Sequence, residues 1–257
     1  MIKVGVCGAC GKMGKEVVKT VLEDKNLELV CAVDIAYVGE NITENVKVVS
    51  DLKSAIEAGK PDVMVDFTQP DSIFENAKIC INSGVRPVIG TTGLSDGQIA
   101  ELKKLSETRG VSCLIAPNFT TGAVLMMMFA QTAAKYFDNA EIIELHHNQK
   151  KDAPSGTAIK TAQLMAEAKT TFEQGNCPET ELIQGSRGGK AVSDIRIHSV
   201  RMPGYIASQE VIFGAPGQVF KIRHDSMDRT CYMAGVVMAI KYVIDENAFV
   251  YGLDNIL

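Results

Sequence analysis

Two of the chain's four histidines stand side by side at His146 and His147, and a lysine follows at Lys150. An imidazole and an ammonium held together supply proton donors near neutral pH, since a free imidazole ionises at about pH 6.5. The histidine pair closes an apolar run, Ala140–His147, and helical spacing begins near Thr157, so the polar stretch Asn148–Gly156 is a strand-to-helix turn. At that helix start Asp152 or Ser155 can cap, Pro154 suits the first turn, and Gly156 removes side-chain obstruction. The free N–H groups of Gly156 and Thr157 would then hold a carboxylate. A plainer reading exists for each residue: neighbouring side chains on a strand point to opposite faces, and Lys150-Lys151 can be a solvated charge pair. No metal is expected, because adjacent histidines on a strand cannot chelate one ion and no third His or Cys lies at ligand spacing. His198 and His224 fall in strand patterns and are read as structural.

A second constellation lies at the start of the chain, where Gly8-Ala9-Cys10-Gly11-Lys12-Met13-Gly14 follows the apolar run Ile2–Cys7 and opens a helical pattern. Glycines at such a turn let the backbone approach a pyrophosphate, whose charge is met by free N–H groups and the positive end of the helix dipole. Against G-x-G-x-x-G the run reads Ala9-x-Gly11-x-x-Gly14, with the first glycine displaced to Gly8. Asp34 closes the second strand twenty residues after Gly14, where a ribose-binding acid is expected. Asp34 can accept from both ribose hydroxyls and would repel a 2′-phosphate, while Ile35-Ala36 supply no Arg; NADH is the preferred coenzyme, and Lys12 leaves NADPH possible. Three further turns, Asp66-Phe67-Thr68, Gly90-Thr91-Thr92-Gly93 and Ala116-Pro117-Asn118-Phe119, end neighbouring strands and together suit a nicotinamide-ribose pocket. Cys7-x-x-Cys10 has no second CxxC and is read as neither a metal nor a redox pair, and Met126-Met127-Met128 is read as core filling.

The elements that must position these residues are legible as periodicity. Strands are expected at Ile2–Cys7, Glu28–Asp34, Asp62–Asp66, Pro87–Ile89 and Val111–Ala116, alternating with helices at Lys12–Leu22, Asp51–Ala58, Ser72–Asn82 and Ser95–Thr108. Such alternation makes βαβ units and a Rossmann-like parallel sheet. From Thr120 the pattern changes to an apolar helix (Gly122–Phe137), the strand Ala140–His147, a helix Thr157–Glu173 and strands near Leu182–Arg187, Asp194–Met202, Ser208–Phe213 and Val219–His224. Short Gly/Pro turns between strands indicate a mostly antiparallel sheet. A last helix, Ser226–Tyr242, could return to the first domain. The expected fold is therefore α/β: a dinucleotide-binding domain of residues 1–119 and 226–257, and an α+β substrate-binding and oligomerisation domain of residues 120–225.

Composition narrows the partners. The chain has 257 residues, 46% of them apolar, and a net charge of −5, which argues against a general nucleic-acid binder because phosphate binding is driven by basic residues. No stretch of about 18 apolar residues occurs and strand pattern begins at Ile2 with no leader, so a cytoplasmic protein without membrane association is expected. Seven cysteines, an odd number mostly inside apolar runs, are expected to be reduced.

The string His146-His147-Asn148-Gln149-Lys150-Lys151-Asp152-Ala153-Pro154-Ser155-Gly156-Thr157 closely resembles the HHxxKxDAPSGT signature of the 4-hydroxy-tetrahydrodipicolinate reductase (dihydrodipicolinate reductase) family, at all nine specified positions. The Gly8–Gly14 loop, the three turns named above and Gly185-Ser186-Arg187-Gly188 resemble family segments in the same order, so the likeness spans nearly the whole chain. The resemblance implies NAD(P)H-dependent reduction of 4-hydroxy-tetrahydrodipicolinate to tetrahydrodipicolinate with loss of water, in lysine and diaminopimelate biosynthesis. It implies that His146 is the proton donor/acceptor and Lys150 a proton donor, and that His147, Ser155, Gly156 and Thr157 bind a small dicarboxylate. Gly8, Ala9, Cys10, Gly11, Lys12 and Met13 would lie under the pyrophosphate, Asp34 at the ribose, and Phe67, Gly90, Thr91, Thr92, Ala116, Pro117, Asn118 and Phe119 at the nicotinamide end. Family members are typically homotetramers joined through the second domain's sheet. The sequence departs from the family pattern at Ser208, near where a His is usual, and at Ile35, where some members carry a basic residue. Two rivals stay open: another two-domain dehydrogenase of small acids or semialdehydes, and an NADH-sensing regulator without turnover.

Overall fold

A computed structural model describes residues 1–173, 175 and 177–257. In chain order the first stretch runs β1 (Ile2–Cys7), α1 (Lys12–Glu23), β2 (Leu27–Val33), β3 (Val48–Val49), α2 (Leu52–Gly59), β4 (Val63–Asp66), α3 (Pro70–Asn82), β5 (Arg86–Ile89), α4 (Asp96–Arg109) and β6 (Cys113–Ile115). There follow α5 (Thr121–Ala134), β7 (Asn139–His146), α6 (Gly156–Ala168), β8 (Gly189–Lys190), β9 (Arg196–Arg201), β10 (Ala207–Ala215), β11 (Gln218–Ser226), α7 (Met233–Asp245) and β12 (Phe249–Tyr251). Two compact units result: Met1–Thr121 together with Arg229–Leu257, and Gly122–Asp228.

The first unit is a seven-stranded parallel sheet in the order β12-β6-β5-β4-β1-β2-β3. Its central strands are apolar on both faces, and Val4, Val6, Val63, Met64, Val65 and Val88 have no exposure, as a parallel sheet covered by helices on both sides requires. The helices start where local chemistry dictates: Ser95 and Gln98 form a reciprocal capping box on α4, and Asp51 caps α2 through the Ser54 N–H. The parallel strands put the carboxyl ends of β1, β4, β5 and β6 at one edge, and the strand order reverses between β1 and β4, where a crevice for ligands opens.

The second unit is a five-stranded sheet, β11-β10-β7-β9-β8, mixed but mostly antiparallel; only the β7/β9 pair runs parallel. One face carries α5 and α6, whose Ala130, Ala134, Ala158, Ala162 and Met165 pack against Ile142, Val211 and Phe213 of the strands. Small side chains on the helices let their backbones lie close on the sheet.

Several boundaries differ from the sequence reading. Leu182–Arg187 is not a strand: Leu182 and Ile183 are 94% and 76% exposed, the Gly185 N–H donates to the Glu181 carboxylate at 2.7 Å, and Gly188 N–H donates to the Gly185 carbonyl at 3.0 Å. Local turns satisfy that backbone, and pairing begins only at Gly189. The helix expected to reach Glu173 stops at Ala168, because Phe172 folds back into the core at 2% exposure. Ser226 still belongs to β11, and the last helix starts at Met233 after a 3-10 turn at Arg229–Tyr232. β3 and β12, of two and three residues, are too short to show a period.

Candidate active site

The glycine loop is built by close backbone approach. Gly8 has φ +75°, and a Cβ there would fall 2.4 Å from the Phe67 carbonyl oxygen; at Gly14 a Cβ would fall 1.9 Å from the carbonyl oxygen of Gly8. The turn therefore lies flat on β4 and on the first turn of α1, a packing no side chain permits. Gly11 caps α1 without a side-chain hydrogen bond, and the N–H groups of Lys12 and Met13 have no acceptor within the helix. Those donors and the open backbone form an anion cradle that suits a dinucleotide pyrophosphate. Asp34, just beyond β2, accepts the Cys10 N–H at 2.8 Å and the Ala36 N–H at 2.9 Å, so its carboxylate stands beside the loop. Ile35 is 91% exposed with no basic neighbour in sequence before Lys47. A cavity of about 460 Å³ adjoins the loop, lined among others by Cys10, Lys15, Tyr37 and Val48, with Lys15 Nζ 5.9 Å from the Tyr37 ring centre. The Cys10 thiol is pushed up by burial and by Asp34.

Three turns meet at the other end of the same sheet edge. The Phe67 ring lies over Gly90, where a Cβ would be 2.1 Å from it, and packs 5.9 Å from the ring of Phe119. Asp66, which sequence reasoning treated as part of a turn, ties the first two of them together. Its buried carboxylate accepts from Thr68 N–H (2.9 Å), Thr68 Oγ1, Asn76 Nδ2 (2.9 Å) and Thr91 Oγ1 (3.1 Å). Burial pushes that carboxyl up, against the pull of those hydrogen bonds. Gly90 N–H donates to the Asp66 carbonyl, Ala116 N–H to that of Ile89, and Thr120 N–H to Asn118 Oδ1. Thr92 and Pro117 face solvent.

In the second unit His146 ends β7 and the loop to α6 carries the remaining residues. Lys150 Nζ is held by both oxygens of Asp152 at 2.8 Å, and of the two expected caps it is Ser155 that caps α6, by accepting the Ala158 N–H at 3.2 Å. Pro154, on a cis peptide, precedes that cap instead of lying in the first turn. The N–H groups of Gly156 and Thr157 therefore open the helix without an acceptor inside it, and Gly156 and the exposed ring of His147 face solvent. His147 Nδ1 accepts the Gln149 N–H at 3.2 Å. The histidines read as structural carry other contacts: His198 pairs with Glu141 at 2.7 Å, and His224 lies against Gly122, with burial pushing its imidazole down.

Sequence reasoning missed Glu144 and Arg201. Glu144 has no exposure; His146 Nδ1 is hydrogen-bonded to its Oε2, Arg201 donates to both oxygens at 2.8 and 2.7 Å, and Ser155 N–H donates to Oε1 at 3.3 Å. Burial would raise this carboxyl, but bonds from His146, Arg201 and Ser199 and the charge of His146 hold it down to about 2. The only signal available was a charged residue inside an apolar alternation.

Comparison with known proteins resolves the family. The N-terminal region of dihydrodipicolinate reductase matches residues 2–119 and the C-terminal region matches residues 122–257. The chain belongs to the dihydrodipicolinate reductase family. A 4-hydroxy-tetrahydrodipicolinate reductase of Listeria innocua is 51% identical over the whole of both chains, and one of a Nostoc species is 50% identical over 100% of this chain and 98% of its own. Among solved structures, a dipicolinate-bound dihydrodipicolinate reductase from Paenisporosarcina sp. TG-14 superposes with a TM-score of 0.93 at 47% identity, each chain covered completely. An amine dehydrogenase from Mycobacterium smegmatis, at 16% identity and a TM-score of 0.68, shares the fold. Members of this dihydrodipicolinate reductase family are NAD(P)H-dependent oxidoreductases.

Proposed function

We propose that the protein reduces 4-hydroxy-tetrahydrodipicolinate to tetrahydrodipicolinate with NAD(P)H and loss of water, in lysine and diaminopimelate biosynthesis. The observation that carries the reading is the end of β7, where a carboxylate-held imidazole, His146, is followed by a loop bearing Lys150 and by the uncapped N–H groups of Gly156 and Thr157. A dianionic ring with a hydroxyl to lose needs that combination: cationic and N–H donors for its carboxylates and a proton for its leaving group.

The first unit is the dinucleotide-binding domain in this reading and the second the substrate domain. Gly8, Ala9, Cys10, Gly11, Lys12 and Met13 hold the pyrophosphate, Asp34 takes the ribose hydroxyls, and Phe67, Gly90, Thr91, Thr92 and Ala116–Phe119 surround the nicotinamide. When bound, the reduced nicotinamide supplies the hydride. In the second unit His147, Ser155, Gly156 and Thr157 orient the substrate carboxylates, and the Lys150 ammonium offsets their charge. His146, with Lys150 as a second donor, delivers the proton with which the ring hydroxyl departs as water; hydride enters at the carbon it leaves, so one NAD(P)H and one proton are consumed for each water released. NADH is favoured over NADPH, supported by Asp34 and the absence of an adjacent basic residue. A homotetramer is supported by β11, an edge strand with Val219 and Phe220 exposed at 65% and 42%, which leaves backbone groups open to pairing. Free cysteines support a reducing, cytoplasmic setting.

The deciding experiment is NADH oxidation, followed by the absorbance of reduced nicotinamide, with and without the cyclic dicarboxylate made enzymatically from pyruvate and aspartate semialdehyde. Oxidation only when that compound is supplied is the expected result. NADH binding without turnover would overturn the reading.

A further inference from the structure

Glu144 is a carboxylate with no exposure to solvent, and each of its oxygens receives two donors: Arg201 and Ser155 N–H on Oε1, Arg201 and His146 Nδ1 on Oε2. An ionised carboxylate only accepts hydrogen bonds. Because Glu144 is ionised, Nδ1 of His146 must carry a proton, and in the neutral ring Nε2 is then the bare nitrogen. We propose that Glu144 is a positioning residue for the reaction: it fixes His146 in the Nδ1–H tautomer, so that proton delivery and recovery run through Nε2. The proposal rests on the reductase reading, in which His146 handles the proton.

Arg201 gives the arrangement its second half. Besides binding both oxygens of Glu144, its Nη2 donates to the Asp152 carbonyl at 2.8 Å, in the loop that carries Lys150. The same guanidinium that keeps the carboxylate charged thus anchors the loop between His146 and the start of α6. The register explains how the residues meet: Arg201 closes β9 opposite His146 of β7, and Glu144 lies two residues earlier on the same strand. A merely structural ion pair would need Arg201 and Ser155, not the imidazole. The geometry instead devotes one carboxylate oxygen jointly to the guanidinium and to His146.

Glu144→Gln separates the two roles. Arg201 needs the amide oxygen as acceptor, which turns the amide NH2 toward His146; Nδ1 must then accept, and the proton moves to Nε2. Nitrogen-15 spectra of histidine-labelled holoenzyme, with the His146 signal assigned by its loss in His146→Gln, read this directly in the high-pH limb of a titration. The expected result is Nδ1–H in the wild type and Nε2–H in Glu144→Gln, with kcat lowered by about 10²–10⁴ and substrate KM within about twofold. An Nε2–H wild type, a variant with unchanged kcat, or a variant that loses activity while keeping Nδ1–H would each overturn the proposal. If Glu144→Gln does not fold, the wild-type tautomer alone decides. The spectrum needs no substrate, so an inactive wild type counts against the reductase reading, whereas an active wild type with Nε2–H counts against Glu144.

Discussion

The carboxylate of Asp34 accepts the backbone N–H of Cys10 at 2.8 Å, which fastens the end of β2 to the glycine loop. Its second oxygen takes the Ala36 N–H, so the side chain is fixed before any ribose arrives. A preset acid beside the loop costs no ordering when a 2′,3′-diol binds and repels a 2′-phosphate. Asp34→Ala is expected to raise KM for NADH by about tenfold or more, the worth of one charged hydrogen bond, and to raise that for NADPH less. Steady-state KM values for the two coenzymes check this; an unchanged ratio would mean that Asp34 does not bind the ribose.

Gly14 faces a harder constraint, because a Cβ would sit 1.9 Å from the Gly8 carbonyl oxygen. Backbone cannot move aside as a flexible side chain can. Gly14→Ala is expected to push α1 off the loop, costing about 1–3 kcal/mol of stability and the pyrophosphate cradle with it. Thermal melting with and without NADH tests both parts: a lower Tm, and no upward shift on adding coenzyme.

His146→Gln and Lys150→Ala are each expected to lower kcat by about 10²–10⁴, the usual contribution of a positioned acid. Lys150→Ala should raise substrate KM as well, since in the proposed reading the ammonium also offsets the charge of the substrate carboxylates, and KM for NADH should stay near the wild-type value in both. Wild-type turnover in both variants would remove them from the proton-transfer step.

The parts legible in the sequence share a physical feature: their chemistry is set by short spacing. Gly8–Gly14 is a turn in which Gly8 takes a positive φ and Gly14 abuts the Gly8 carbonyl, both local features, and His146 to Thr157 is one loop and one helix start. Glu144 and Arg201 escaped because their partnership spans 57 residues and depends on a parallel β7/β9 register that no local pattern encodes. Asp66 is similar, since Asn76 and Thr91 reach it only after α3 and β5 have packed. The Leu182–Arg187 error runs the other way: apolar residues looked like a strand, yet Gly185 and the Glu181 carboxylate close turns that leave Leu182 in solvent.

Glu144 also makes acid stability predictable. Its carboxyl is held down to about 2 in the folded protein, below the ordinary value of 4.5 to which it returns on unfolding. A carboxylate with a depressed folded-state value contributes stability that is complete above about 4.5 and is lost as pH falls toward 2, because the unfolded chain takes up the proton first. Urea midpoints of the wild type are therefore expected to drop steeply across that interval, as the buried carboxylate is neutralised and Arg201 loses its partner. Glu144→Gln has no proton to take up there and should start lower at neutral pH, with a shallower decline. Parallel declines in the two proteins would show that other carboxylates account for the acid sensitivity.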